Sequence, residues 1–145
     1  MKLLIQKVNN AKVEVDNKII SSIKNGLLIF IGIHHEDTEE KIDYLAKKVT
    51  NLRIFDDHNG KMNYSIKDTK GSILVVSQFT LYAECNRGNR PDFINAAKPE
   101  KANDFYLKFV DSLIKQGIHT ETGKFAANMK VSLVNDGPVT ILLER

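Results

Sequence analysis

The continuous apolar run LLIFIGI, at residues 27–33, must lie in the interior of any fold that the chain adopts. A strand without polar alternation is typical of a sheet that is covered on both faces. The chain has 145 residues, enough to build such a core, and no repeat or linker interrupts the sequence. We therefore expect a single domain over residues 1–145, with this run as a central strand.

Segments rich in β-branched residues surround this run, and two further stretches have helical spacing. Predicted strands are KLLIQKV, AKVEV, KIISSI, SILVVSQFTLY and the two halves of KVSLVNDGPVTILLE, which we expect to be joined at NDGPVT. One helix is predicted within DTEEKIDYLAKKVTNL, and a second runs from near Pro99 to a stop at Gly117. Because helices and strands do not alternate regularly, the sequence predicts an α+β fold. We expect a mostly antiparallel sheet or barrel with two amphipathic helices.

Cysteine content and hydropathy bear on where the protein works. The chain has one cysteine, Cys85, so it cannot form an internal disulfide, and a reducing, cytoplasmic setting is expected. No apolar run approaches the ~20 residues that span a bilayer, and the start MKLLIQKVNN is too short in apolar residues for a signal peptide. No membrane partner is expected. A net charge of +3 permits contact with a polyanion without demonstrating it.

The sequence offers little to a metal ion or a nucleotide cofactor. His34 and His35 are adjacent, so they cannot easily converge on one ion, while His58 and His119 stand alone in polar surroundings. Neither paired Cys-x-x-Cys nor His-x-x-x-His spacing occurs, and there is no glycine-rich phosphate loop. We therefore expect no metal and no cofactor.

Three polar residues, Ser77, Gln78 and Thr80, follow the apolar strand SILVV within SQFTLY. Polar groups at this point must be exposed or hydrogen-bonded, because burying one without a partner costs about 1–3 kcal/mol. From these residues alone, the segment is either an ordinary strand end or part of a site. Phe125, within TGKFAANM, similarly suits either core packing or a ring stacked on a base.

The stretch NDGPVT, residues 135–140, lies between two apolar runs. Asp-Gly between strands is typical of a hairpin turn. The following residue, Pro138, has no N–H to donate to a sheet and can adopt a cis peptide bond. The local pattern leaves open whether this is a tight turn or a loop that presents something.

Taken together, SQFTLYA at 77–83 and NDGPVT resemble the two signature motifs of the D-aminoacyl-tRNA deacylases, and the likeness extends over essentially the whole chain. The resemblance implies a homodimeric editing hydrolase that binds the aminoacylated 3′ end of tRNA at the subunit interface. Such an enzyme cleaves the ester of D-aminoacyl-tRNA, releases free D-amino acid and tRNA, and rejects L-aminoacyl-tRNA. Glycyl-tRNA is the expected second substrate.

The resemblance also implies the roles of individual residues. Catalytic positions are Ser77, Gln78, Phe79 and Thr80, and substrate-binding positions are Arg87, Phe125, Met129, Asn135, Gly137 and Pro138. The Gly137-Pro138 bond is expected to be cis and to enter the partner's active site, where its carbonyl oxygens would clash with an L side chain. Thr80 is either a nucleophile without an obvious base or a positioning group. We favour the second role, in which the substrate's ribose 2′-hydroxyl helps to activate water.

Without the resemblance, two other classes of function remain open. A non-catalytic RNA-binding module would use Arg87, Arg90 and Phe125 to bind tRNA and leave its ester intact. A dimer that binds a small metabolite would show no salt-dependent affinity for tRNA, because such salt dependence arises from phosphate contacts.

Overall fold

A computed structural model describes residues 1–86 and 88–145. The elements, in chain order, are β1 (Lys2–Val15), β2 (Lys18–Ile23), β3 (Gly26–Gly32), α1 (Glu40–Thr50), β4 (Phe55–Asp56), β5 (Met62–Tyr64), α2 (Ile66–Thr69), β6 (Ser72–Ser77), a 3₁₀ turn (Phe79–Tyr82), α3 (Pro99–Lys115), β7 (Thr120–Thr122) and β8 (Lys130–Glu144). None of the helices in these two ranges has the length and apolarity that a bilayer crossing requires.

The main sheet is mixed and barrel-like. Its order is β2-β1-β3-β6-β7, and β8 pairs with the remaining edge of β1. The three pairings of β1 are antiparallel, whereas β3 pairs with β6 and β6 with β7 in parallel. The long β1 bends between two neighbours: its first half pairs with β3 and its second half with β2. The predicted α+β fold with a mostly antiparallel sheet is confirmed, with a parallel section that was not expected.

The run LLIFIGI forms most of β3 and is covered on both faces, as predicted. Leu27, Ile29 and Ile31 point into the larger core, where α1 and α3 pack. Leu28 belongs to the second core, on the opposite face of the sheet, and Phe30 packs against it. The strand therefore separates two apolar clusters, which explains its lack of polar alternation.

Two amphipathic helices, α1 and α3, cover the larger core, as predicted. α3 begins at Pro99, and Gly117 follows its end with a φ of +83°, a conformation that favours glycine. The helices run in the same direction, since Ser112 Oγ donates to Asp43 near the start of α1 (2.9 Å). Further along both helices, Thr50 Oγ1 donates to Gln116 Oε1 (2.7 Å).

The C-terminal segment differs from the prediction of two strands joined by a hairpin. It is one strand, β8, and residues on both sides of NDGPVT pair antiparallel with β1: Val134 with Asn10, and Thr140 with Gln6. The register shifts between these pairs, so the extra residues form a bulge rather than a chain reversal. The hairpin prediction was wrong because β1 is long enough to pair with both halves.

The segment SILVVSQFTLY also differs from its prediction as one strand. β6 ends at Ser77, and Phe79–Tyr82 form the 3₁₀ turn. Gln78 has φ −145° and ψ 82°, and its N–H still donates to Ile31 O on β3 (2.8 Å). The chain therefore leaves the sheet immediately after this residue, which brings the motif's side chains to the end of the strand.

Candidate active site

A cavity of about 610 Å³ opens at the C-terminal end of β6. One wall is formed by Ser77, Gln78 and Phe79, and the wall facing it by the segment 125–129. Between them, Phe93, Ala96, Ala97 and the first turn of α3 complete an apolar lining. The cavity is therefore built from three segments that are distant in sequence, with polar groups confined mainly to the β6 end.

The β6 end carries the hydrogen-bonding groups of the cavity. Gln78 Nε2 donates to Thr80 Oγ1, so the hydroxyl lies beside the lining although Thr80 itself is exposed. Within the described residues, the backbone N–H groups of Phe79 and Thr80 have no acceptor in the chain. Such groups are usual at the start of a helical turn, where no preceding carbonyl is available. These two N–H groups are therefore available to donate to a bound ligand.

Phe79 and Phe93 form an apolar rim at the mouth of the cavity. The Phe79 side chain is 53 % exposed, and its ring meets the Phe93 ring edge-on at a centroid distance of 4.8 Å. An exposed phenyl ring at a cavity mouth is available to a flat, apolar group of a ligand.

The facing wall is shaped by a backbone turn at Ala126, whose φ of +59° is unusual for a residue with a side chain. Phe125 and Met129 flank this turn, and both line the cavity. The Phe125 ring lies at a tilt against Tyr106, with 6.2 Å between the centroids. Tyr106 in turn donates its hydroxyl to Val75 O (3.0 Å), and its burial raises the phenol pKa to about 12. The neutral phenol therefore ties this wall to β6.

A buried carboxylate supports the cavity end of the fold. Asp37 is fully buried and accepts hydrogen bonds from the Met1 amino group (2.7 Å), the His34 N–H (2.7 Å) and Lys41 Nζ (2.8 Å). Burial alone would raise the pKa of this carboxyl, but these hydrogen bonds outweigh burial and hold the pKa below its ordinary value. The segment 33–35 that Asp37 fixes also holds the cavity lining, because Ala97 N–H donates to Ile33 O (2.9 Å).

Gly137 and Pro138 form a separate, exposed group at the β8 bulge. Their peptide bond is cis, and Gly137 has a φ of +119°. Asn135 braces the bulge from both sides: its Oδ1 accepts from the Val139 N–H (3.0 Å), and its Nδ2 donates to Thr140 Oγ1 (2.9 Å). The residues of NDGPVT are therefore held by their own side chains as well as by the sheet.

A buried lysine lies directly beneath this bulge. Lys7 Nζ is 3.3 Å from Asp136 Oδ2 and 3.2 Å from Asp56 Oδ2, and the lysine side chain is only 5 % exposed. Its Cε would be 3.8 Å from a Cβ added at Gly137. One ammonium group thus joins the bulge to β4. Lys7 was missed by the sequence reasoning, although it shares the inward phase of Leu3 and Ile5 along β1, a signal that could have revealed it.

The structure brings some of the predicted site residues together and leaves others apart. Ser77, Gln78, Phe79, Phe125 and Met129 line the cavity, and Thr80 adjoins it. Among the described residues that line the cavity, Asn135, Gly137 and Pro138 are absent. Arg87 lies outside the described residues.

The two groups lie at opposite ends of β3. Ser77 pairs with Ile31 near one end of that strand, whereas the bulge lies opposite Gln6–Val8 of β1, whose partners on β3 include Leu27 and Leu28. A single subunit therefore does not unite the two motifs. In residues 1–86 and 88–145, no three His, Cys, Asp or Glu side chains are grouped to hold a metal ion.

The sequence profile of the D-Tyr-tRNA(Tyr) deacylase family matches residues 4–144. The chain belongs to this family. It is 54 % identical over 144 residues to the D-aminoacyl-tRNA deacylase of Bacillus cytotoxicus, an alignment that covers 99 % of each protein. It is 55 % identical to the D-aminoacyl-tRNA deacylase of Thermotoga petrophila, with 99 % of this chain and 97 % of the relative covered.

Solved structures show the same fold. A protein described as a c-Myc DNA unwinding element binding protein superposes with a TM-score of 0.94 at 42 % identity, covering 100 % of this chain and 99 % of that one. A probable eukaryotic D-amino acid tRNA deacylase superposes with a TM-score of 0.84 at 15 % identity, covering 98 % and 97 %. The second likeness, at low identity, concerns the fold alone.

Proposed function

We propose that the protein is an aminoacyl-tRNA editing hydrolase that acts in the cytoplasm. It cleaves the ester between a D-amino acid and the 3′-terminal adenosine of tRNA and releases both products. The observation that supports this function is the meeting of the SQFTLY segment and the segment 125–129 at one mostly apolar cavity, in a member of the D-Tyr-tRNA(Tyr) deacylase family. The full-length relatives carry the same activity in their names.

The N–H groups of Phe79 and Thr80 supply the electrostatic part of catalysis. They point from the start of the 3₁₀ turn without an acceptor in the described residues, as donors to a developing oxyanion should. Attack of water on the ester carbonyl carbon places negative charge on the carbonyl oxygen, and these donors stabilise it. Ser77 and Gln78 line the ester beside them.

Water is activated by the substrate rather than by a protein base. Among the described residues, no His, Asp or Glu lines the cavity, so the Thr80 hydroxyl has no base to remove its proton. The ribose 2′-hydroxyl assists instead. It relays a proton from the attacking water to the departing 3′-oxygen as the ester C–O bond breaks. Thr80 is then a positioning group that Gln78 holds.

The remaining substrate contacts follow from the shape of the cavity. Phe125 stacks on the terminal adenine, and Met129 fills the space beside it. Arg87 binds a phosphate of the tRNA 3′ end. The exposed Phe79 ring and the half-buried Phe93 ring receive the side chain of the D-amino acid.

Chiral selection requires a second subunit. Gly137 and Pro138 are exposed and lie at the opposite end of β3 from the cavity, so they are available to the cavity of a partner. In the homodimer, their carbonyl oxygens face the substrate Cα. They exclude an L side chain by contact and tolerate hydrogen, so glycyl-tRNA is hydrolysed as well.

Deacylation of D-Tyr-tRNA beside L-Tyr-tRNA tests the activity. We expect rapid hydrolysis of the D form and an L-form rate close to the spontaneous one. Equal rates of hydrolysis for the D and L forms would contradict the proposed chiral selection. Salt-dependent tRNA binding with no hydrolysis of either form would favour the RNA-binding module.

Thr80→Ala separates the two roles of the hydroxyl. We expect the variant to retain most of the single-turnover rate, with substrate affinity reduced by the loss of the contact with Gln78. A single-turnover rate near the spontaneous rate would instead make Thr80 the nucleophile.

The shared site is tested by the state of assembly. Sedimentation at working concentration should give a dimer of this 16.4 kDa chain. An active, monodisperse monomer would contradict a cavity completed by the partner.

A further inference from the structure

A second depression, of about 670 Å³, lies at the C-terminal end of α1, far from the cavity. We call it the basic groove; its lining residues are Tyr44, Lys47, Lys48, Asn51, Leu52 and Arg53. Three of the six are cations and none is acidic. The Arg145 guanidinium lies over the Tyr44 ring at 4.7 Å and adds a further positive charge at the edge.

The charges of the groove are not neutralised by ion pairs. Within the described residues, neither Lys47 nor Lys48 has a carboxylate within salt-bridge distance. Three other lysines of α1 and α3 differ: Lys41 binds Asp37, Lys108 binds Glu39 and Asp104, and Lys115 binds Asp111. Lys101, near the start of α3, donates to the backbone oxygen of His35 (2.7 Å). Within the described residues, the two lysines of the last turns of α1 thus carry charge that no carboxylate offsets.

The hydrogen-bond partners of the Arg53 guanidinium are uncharged groups. Its guanidinium donates to the backbone oxygen of Asn63 (3.0 Å) and to the side-chain oxygen of the same residue. The Asp68 carboxylate is near enough for an electrostatic interaction with Arg53, but it accepts its hydrogen bonds from the Ser65 hydroxyl (2.6 Å) and N–H (2.8 Å). The arginine is therefore held in position by uncharged partners.

The helix dipole explains only some of the positive charges in the basic groove. Lysines in a last helical turn complement the negative end of the helix dipole. At α1, however, Asn51 Nδ2 already donates to Lys47 O (2.6 Å). Arg53 lies beyond the helix, so the dipole does not account for it.

The Arg53 side of the groove lies at the same end of the molecule as the Gly-Pro bulge, whereas its Tyr44 side lies next to Arg145, whose N–H donates to Met1 O (3.1 Å). Arg53 is followed three residues later by Asp56, a span of at most roughly 11 Å. Asp56 shares the Lys7 ammonium with Asp136, the residue before Gly137. The groove is distant from its own subunit's cavity, because Pro99 lines the cavity and α3 runs roughly 25 Å from there toward Gln116 beside Thr50.

We propose that the basic groove binds the phosphates of the tRNA acceptor stem while the 3′ end of the same tRNA occupies the cavity of the partner subunit. The inference rests on the proposed function, in which the Gly-Pro bulge of one subunit completes the cavity of the other. The groove beside that bulge then flanks the partner's cavity. Lysine and arginine around an exposed tyrosine suit a ribose-phosphate backbone.

The double variant Lys47→Gln/Lys48→Gln tests the groove, with Lys18→Gln/Lys24→Gln on the β2 side as a control of equal charge change. All four lysines are exposed, so folding should be unaffected. Affinity for deacylated tRNA is measured by fluorescence anisotropy over a range of salt. We expect the groove variant to bind on the order of tenfold more weakly at low salt and to lose about 2 from the slope of log K against log salt. The control should match the wild type.

Hydrolysis separates the groove from the chemistry. With D-aminoacyl-tRNA, the groove variant should have a higher KM, whereas D-aminoacyl-adenosine, which has no acceptor stem, should be hydrolysed at the wild-type rate. Unchanged tRNA affinity, or equal losses in the groove and control variants, would overturn the proposal. Failure of the wild type to hydrolyse any D-aminoacyl ester would refute the proposed function while leaving the binding comparison interpretable.

Mixed dimers test which cavity the groove serves. One subunit carries Gln78→Ala/Phe125→Ala, so only the other subunit's cavity is intact. We expect activity on D-aminoacyl-tRNA to fall when Lys47→Gln/Lys48→Gln is added to the subunit with the damaged cavity, and to persist when it is added to the subunit with the intact cavity. The reverse pattern would contradict service across the interface.

Discussion

The two ends of β3 are held by buried charges of opposite sign. At the cavity end, the Asp37 carboxylate is fully buried and hydrogen-bonded by three donors. At the bulge end, the Lys7 ammonium is buried between Asp56 and Asp136, whose side chains remain 51 % and 44 % exposed. The cavity is therefore built as part of the core, whereas the bulge is supported from below and exposed on its outer side.

The largest expected effect comes from breaking the cavity end with Asp37→Asn. An amide cannot accept all three charge-assisted hydrogen bonds, and the Lys41 charge loses its partner. We expect the free energy of unfolding to fall by about 3–5 kcal/mol in urea denaturation. Asp104→Asn, which removes an exposed partner of Lys108, should leave the free energy of unfolding nearly unchanged.

The same carboxylate makes the wild-type stability sensitive to acid. The folded pKa of Asp37 lies below its ordinary value of 3.8. Its contribution is therefore complete above that value and is lost as the pH falls through the lower folded pKa. Asp37→Asn should flatten this part of the stability profile, and an unchanged acid profile would show that other groups control it.

Gly137→Ala, at the bulge end, should give the second-largest loss of stability. The residue has a φ of +119°, and a Cβ there would lie 2.8 Å from Val139 Cγ2 and 3.1 Å from Val139 N. We expect a loss of about 2–3 kcal/mol in stability, together with a fall in kcat/KM for D-aminoacyl-tRNA of roughly 100-fold.

Gly60→Ala is the matched control for this substitution. Gly60 also has a positive φ, of +71°, but a Cβ there would meet nothing within 4 Å. The Gly60→Ala variant should lose only about 1 kcal/mol in the free energy of unfolding and keep its hydrolytic activity. Equal losses of activity in the two variants would show that Val139 and the bulge have no special role.

Lys7→Met tests how far the buried ammonium stabilises the bulge end. The substitution removes the charge that contacts Asp56 and Asp136 and keeps an apolar side chain of similar length. Asp56 and Asp136 are partly exposed and can regain water, so the loss in stability should be about 1–2 kcal/mol, smaller than at Asp37. The informative measurement is the ratio of D- to L-aminoacyl-tRNA hydrolysis, which should fall. A normal ratio would mean that Asn135 and the sheet hold the bulge by themselves.

Tyr106→Phe should give the smallest effect. Its hydroxyl donates to Val75 O, which also accepts from the Gly123 N–H (2.9 Å), so no carbonyl is left without a donor. We expect a loss of about 1 kcal/mol in stability. KM should rise slightly, since the Phe125 wall rests on this ring. A loss above 3 kcal/mol would show that the cavity wall depends on this single hydrogen bond.

The sequence predicted those parts of the fold that depend on local pattern. The run at 27–33 became the doubly covered strand, and Pro99 and Gly117 marked the ends of α3. The hairpin at NDGPVT failed as a prediction because the turn signal is local, whereas the strand direction is set by the distant β1.

The candidate site was predictable to a similar extent. SQFTLY and the segment 125–129 were singled out, and they share one cavity. Phe93, Ala96 and Ala97 were missed because their position depends on pairing of the long loop with residues 33–35, which no local pattern reveals. Lys7 was missed although the alternation along β1 placed it inward.

The pairing of β8 with β1 on both sides of the bulge has a consequence for heating. The residues that flank Gly137 and Pro138 cannot move apart unless the β1 ladder is broken, and that ladder runs through the middle of both apolar cores. If the bulge selects the chirality of the substrate, as proposed, that selection should persist until the whole domain melts. Heating would then end the hydrolysis of D-aminoacyl-tRNA before it permitted the hydrolysis of L-aminoacyl-tRNA.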